Sequence, residues 1–155
     1  MIQDIPGIGN TSAQAIISVI GTDMGRFPTD AHIASWADLC PENNESAKKR
    51  ESEKDRKGNA LLRETLVVCA HNAVRNKNSY FYAQFTRISA YRGKKRGYVG
   101  MAHSMLTAIY HILKEGTVFK DLGAEYYNQF NKECKINAYL KKLKELGWEA
   151  PVVAA

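Results

Sequence analysis

Apolar positions recur at spacings of three and four through most of the chain, and polar stretches separate the apolar runs. The first run, SAQAIISVIG, puts Ala13, Ile16, Ile17 and Ile20 on one helical face, with Asn10 or Thr11 as its cap and Gly21 as its stop. After Phe27-Pro28, Thr29 or Asp30 starts a second helix through HIASWADL, which is expected to bury Ile33, Trp36 and Leu39. A third begins at Asn59 and runs through ALLRETLVVCAHNAVR, with Leu62, Leu66, Cys69 and Ala73 inward. A fourth spans about Ser79 to Tyr91, with Phe81, Phe85 and Ile88 on its apolar side. The basic, glycine-flanked segment RGKKRG then interrupts. The next helix is the most apolar, with a wide stripe of Ala102, Met105, Leu106, Ile109, Ile112 and Leu113 ending at Glu115-Gly116. From about Glu125 to Leu146 an amphipathic segment offers Tyr127, Phe130, Cys134, Leu140 and Leu143 as contacts. Apart from a few residues after Gly147, no alternating strand pattern appears. The expectation is an all-α helical bundle with a long polar loop and an amphipathic C-terminal helix.

Between the second and third helices lies NNESAKKRESEKDRKGN, residues 43–59, which has almost nothing to bury. It divides the 155 residues into a first part, 1–40, a loop, 41–58, a helical core, 59–116, and a C-terminal helix and tail, 117–155, all within one domain. Composition adds little to this. No apolar run approaches the roughly 18 residues needed to cross a membrane. Cys40, Cys69 and Cys134 lie far apart, without metal-ligand spacing, and the start carries no secretory pattern, so a reducing cytoplasm is expected. The net charge of +6 favours a polyanionic partner. His103 and His111 are expected at the edge of the bundle rather than in a catalytic or metal site. Tyr80, Phe81, Tyr82 and Phe85 are expected in the core rather than stacked on bases.

Ile5-Pro6-Gly7-Ile8-Gly9, directly before a capped helix, has the apolar-Gly-apolar-Gly pattern of a helix-hairpin-helix module. Glycine lets such a turn bring the backbone close to a ligand. The amides of the following helix then point at an anion such as a DNA phosphate. This marks Ile5, Gly7, Gly9 and Asn10 as DNA-binding candidates. The module's first helix would precede Met1, so the chain reads as the C-terminal part of a longer protein. An ordinary glycine-rich turn has the same pattern.

Taken in order, IPGIG, RFPT, HIASWADLCPENNESAKKR, DRKGNALLR, RGKKRG, AHSML, IYHILKEG, DLGAEYY and the tail YLKKLKELGW form a set. That set resembles the C-terminal domain of the DEDD-type insertion-sequence transposases, the family of the Piv-like DNA invertases and the bridge-RNA-guided recombinases. The resemblance implies a serine nucleophile on the polar loop that attacks a DNA phosphodiester and forms a phosphoserine linkage. Ser46, in ESAKKR, matches the nucleophile position, and Ser52 is the lesser candidate. It implies a partner domain of RuvC type, absent from this chain, whose four acidic residues bind magnesium. This chain itself is assigned no metal ligand or cofactor. A serine hydroxyl is a poor nucleophile until activated, and the loop holds no obvious base. Lys48, Lys49, Arg50, Arg56, Lys57, Arg63, Lys94 and Lys95 are the basic candidates for holding DNA. The expected partners are DNA, a guide RNA where the relative uses one, the RuvC-like domain of the same or another protomer, and further copies of the chain. The expected setting is the bacterial cytoplasm, at the nucleoid. Where the family carries glycines this loop has Ala47-Lys48 and Glu53, and Glu45, Glu51 and Glu53 repel phosphate. Alone, the chain is expected to bind DNA weakly and to cleave nothing. The competing reading is a non-catalytic helix-hairpin-helix module that positions nucleic acid for another protein.

Overall fold

A computed structural model describes residues 1–40, 58–126 and 132–148, without the side chains of 133–135. Among the described residues there are six α-helices and no strand: α1 Asn10–Ile20, α2 Asp30–Trp36, α3 Ala60–Ala73, α4 Tyr80–Arg92, α5 Lys94–Glu115 and α6 Lys132–Glu145. The all-α expectation holds.

The organising element is α5, which packs against α2, α3 and α4 and against a 3-10 turn at Met24–Arg26. Its apolar stripe is largely absorbed: Met101, Ala102, Met105, Leu106 and Ile109 are fully buried, Ile112 nearly so, and Leu113 is half-buried at the end. Burying one such Leu, Ile or Met side chain contributes about 1.5–3 kcal/mol, so this helix supplies much of the core. Gly116, in the left-handed region at φ 67°, ends it by donating to the Ile112 carbonyl. A polar pin joins α5 to the start of α2. The Tyr110 hydroxyl is shared between the carbonyls of Phe27 at 3.0 Å and Pro28 at 3.2 Å, and Lys114 Nζ donates to the Tyr110 oxygen at 2.7 Å.

Two details depart from the sequence reading. RGKKRG does not interrupt for its whole length, because only Gly93 breaks the chain and α5 already begins at Lys94. Gly97 and Gly100 then serve packing. A Cβ at Gly97 would lie 3.0 Å from the Phe85 ring, and one at Gly100 would lie 3.0 Å from Ile88 Cδ1, so both glycines let α4 close onto α5. Trp36, expected inside, is 38% exposed; it ends α2 and packs one edge on Phe27, at 5.5 Å between ring centroids.

Packing of α6 is also not as expected. Leu140 and Leu143 are 40% and 37% exposed, and Ile136 and Tyr139 are more exposed still. Tyr127 and Phe130 lie outside the described residues, as does the Cys134 side chain. Of the aromatic run on α4, Phe81 is buried while Tyr80, Tyr82 and Phe85 are half-buried, in keeping with a core role.

Candidate nucleic-acid interface

The ends of the polar loop come together at one place. On the incoming side α2 stops at Trp36, and Asp38 takes a left-handed conformation at φ 53° that is uncommon for a residue with a side chain. This turns the chain so that Leu39 inserts fully into the core, its N–H bonded to the Ala34 carbonyl at 3.0 Å. On the outgoing side Gly58 lies against Asp38 so closely that an added Cβ would collide with Asp38 Cβ and lie 3.0 Å from its nitrogen. The next residue ties the two sides, because Asn59 N–H donates to the Trp36 carbonyl at 3.2 Å.

Asn59 also starts α3. Its side-chain oxygen accepts from the Leu62 N–H at 3.0 Å, an N-cap worth about 1 kcal/mol. One turn on, Arg63 Nη1 pairs with Asp38 Oδ2 across the stem. The pair is partly exposed, with 45% of the Arg63 side chain open to solvent, so its direct contribution to stability is small. Its geometric consequence is larger. An arginine has five N–H donors in a fixed fork, and anchoring one on Asp38 holds the others at the mouth of the loop. The Gly-Asn pair thus has a physical account: glycine permits the two sides to touch, and asparagine caps the helix that follows.

Ser46, Ser52, Lys48, Lys49, Arg50, Arg56 and Lys57 lie outside the described residues. What the structure places is the stem from which their segment, 41–57, departs and to which it returns.

The hairpin at the start has a different role from the one its glycines suggest. Ile5 and Ile8 are in the core, 1% and 5% exposed. Gly7, at φ 89°, faces α3 rather than a ligand. An added Cβ would strike the Cys69 carbonyl oxygen and come within 2.7 Å of the Ala73 nitrogen. Burial under this turn pushes the Cys69 thiol up from its ordinary pKa, and a hydrogen bond with Ser12 partly offsets the rise. The Ile5 side chain and the side of Gly7 where a Cβ would stand are therefore taken up by packing, and a DNA contact from this turn would have to come from its backbone. The described segment ahead of the turn is a 3-10 turn at Ile2–Asp4.

Gly9 and Asn10 remain exposed. Gly9, not Asn10 or Thr11, is the N-cap of α1, and no side chain caps it. The first helical bond runs from Ala13 N–H to the Gly9 carbonyl at 2.9 Å, which leaves the amides of Asn10, Thr11 and Ser12 ahead of the ladder. An added Cβ on Gly9 would have nothing within 4 Å. This helix end is open in the way an anion site requires.

Lys94 and Lys95 stand exposed on the first turn of α5, on a different pair of helices from the stem. Sequence reading missed the wider charge asymmetry around them. Between Glu64 and Glu115 the chain contains eight lysines and arginines and no aspartate or glutamate.

The histidines are as expected at the edge, with one addition. His111 has a carboxylate neighbour: its Nδ1 lies 2.8 Å from Glu115 Oε1, one turn along α5 and exposed. His103 is half-buried beside a groove of about 380 Å³ that Asp30, Tyr80, Thr107 and Phe119 also line. Among the described residues, no three His, Cys, Asp or Glu side chains gather to hold a metal, and no helix is long and apolar enough to cross a membrane.

Comparison of the sequence with known families gives the class of protein, a transposase. Residues 1–86 match the profile of the Transposase IS116/IS110/IS902 family, and the chain belongs to that family. It is also 26% identical over 124 residues to the insertion element IS110 uncharacterized 43.6 kDa protein of Streptomyces coelicolor. That match covers 77% of this chain and 30% of the relative, so the chain corresponds to under a third of the relative's length. No solved structure matches.

Proposed function

We infer that this chain is the DNA-binding and serine-nucleophile domain of an insertion-sequence transposase, cutting and rejoining strands together with a separate magnesium-dependent domain of RuvC type. The observation that carries the reading is the closed stem: Asp38, Gly58, Asn59 and Arg63 bring both ends of 41–57 to the N-terminus of α3. A stem closed in this way sets both attachment points of the segment beside an arginine fork.

In the proposed reaction the Ser46 hydroxyl oxygen attacks the phosphorus of a DNA phosphodiester. A P–O bond to serine forms, the bond to the departing sugar oxygen breaks, the serine proton goes to a base and the departing oxygen gains a proton. A sugar hydroxyl of another strand then displaces the serine by the reverse step. The linkage conserves the energy of the broken ester, so rejoining needs no nucleotide cofactor. Magnesium on the partner domain would neutralise charge at the phosphate. This chain's own part is to bind and orient: the open amides at Asn10 to Ser12 hold a backbone phosphate, and the free donors of Arg63 reach one near the loop.

The test is Ser46→Ala in a protein carrying both domains. Strand exchange is expected to fall below detection while DNA affinity stays within about twofold, and Ser52→Ala is expected to retain exchange. Retained exchange in Ser46→Ala overturns the assignment and leaves a non-catalytic module that positions nucleic acid.

A further inference from the structure

The corner where α4 meets α5 is the most cationic part of the described surface. Arg87, Arg92, Lys94, Lys95 and Arg96 fall within ten residues, all exposed, and the sequence between Glu64 and Glu115 contains no carboxylate. At the centre of this run stands Tyr91, 89% exposed. It lies one turn beyond Arg87 on the same side of α4, and Gly93 turns the chain directly after Arg92. One turn into α5, Tyr98 is covered by the exposed His71, the two rings stacked with centroids 3.5 Å apart.

An aromatic ring this open gains nothing for the fold. Its neighbours in sequence, Ala90, Arg92 and Gly93, offer one methyl group, too little for the core of a protein interface. What a lone ring among cations does fit is a phosphate backbone with an unstacked base: the cations track the strand and the ring stacks on the base. A duplex offers no such base face, because its bases are already stacked. We propose that the α4–α5 corner binds single-stranded DNA, with Tyr91 as the stacking platform and Lys94 and Lys95 as phosphate contacts. The choice of DNA rests on the function proposed above, in which a cut strand leaves its complement to be rejoined to another. The surface itself is independent of Ser46 and of the loop stem.

The experiment is fluorescence anisotropy on the 155-residue chain with a labelled thymidine 20-mer, the same sequence as a duplex, and a uridine RNA 20-mer. The single DNA strand is expected to bind at least about fivefold more tightly than the duplex. Tyr91→Ala is expected to weaken it between about fivefold and a hundredfold, with Tyr91→Phe unchanged within about twofold. The double variant Lys94→Ala with Lys95→Ala is expected to lower the slope of log affinity against log salt by about 1.4, two phosphates' worth for a single strand. Since all three side chains are exposed, thermal melts of the variants are expected to match the parent. Any of four results overturns the proposal: unchanged affinity in Tyr91→Ala, an unchanged salt slope in the double variant, RNA bound over tenfold more tightly than DNA, or polyglutamate competing as well as the strand. Strand exchange does not enter these readouts. Failure of the serine assignment and failure of the corner are therefore told apart.

Discussion

Two turns in this molecule, at Gly7 and at Gly58, use the same device for different ends. In each, a missing side chain lets two stretches of backbone touch. At Gly7 the contact is internal, clamping the first turn of the chain onto Cys69 and Ala73 of α3. At Gly58 the contact closes the stem of a polar loop against Asp38. In the sequence Gly7 has the pattern of a ligand contact, and in the fold its Cβ side is a packing contact. Gly58 has the pattern of a helix start, and it is also where the stem of the candidate site closes. Close approach of backbone is therefore what glycine signals in both, and only the fold says what is approached.

The largest expected effect is at Gly7. Gly7→Ala meets two penalties at once, a positive φ of 89° and a Cβ driven into the backbone of α3. Together these are expected to cost roughly 3–5 kcal/mol, a large part of the stability of a small domain. Urea denaturation of the chain measures it. A loss under about 1 kcal/mol would mean that the turn shifts freely, and the contrast with Gly58 would lose its meaning.

Gly58→Ala is expected to act locally instead. The φ there is ordinary, and the obstacle is Asp38 Cβ, at the edge of the fold. The stem opens at a cost of about 1–3 kcal/mol, and part of that comes from releasing the Arg63 pair and the Asn59 N–H to Trp36 bond. Amide exchange at Asn59 and Leu39 is expected to accelerate tenfold or more, while Leu66 and Met105 in the core keep their protection. Equal acceleration everywhere would show that the stem is part of the global fold rather than a separable device.

How much of this was legible follows from what each residue signals. The start of α3 was readable at Asn59, because a cap is a local feature and the apolar spacing after it is long. The stripe of α5 was readable for the same reason. Its first two turns were not: Lys94 to Gly100 holds three cations and two glycines, which resemble a loop until Phe85 and Ile88 of another helix are seen filling the space. Trp36 was misplaced because periodicity gives a face but not where the helix ends. For α6 the spacing named Leu140 and Leu143 as contacts, yet a stripe does not name its partner, and both stay exposed among the described residues, with Ile136 and Tyr139 more so. The ion pair between Asp38 and Arg63 joins positions 25 apart and has no sequence signature at all.

The smallest effect separates stability from binding at the one hairpin glycine that stays open. Gly9 has an extended conformation, φ −86° and ψ 177°, which any residue adopts, and it faces empty space. Gly9→Asp would supply the side-chain cap that α1 lacks and place a negative charge at the positive end of the helix. It is expected to raise stability by about 0.5–1 kcal/mol. If the amides of Asn10 to Ser12 hold a DNA phosphate, the same carboxylate occupies the phosphate's position and repels it. DNA affinity is then expected to fall about fivefold to tenfold while the melting temperature rises. A rise in both would remove this helix end from the interface and leave the stem and the basic corner as the surfaces that meet nucleic acid. Opposite signs would show why glycine stands here: a better cap makes a more stable helix whose anion site is already filled.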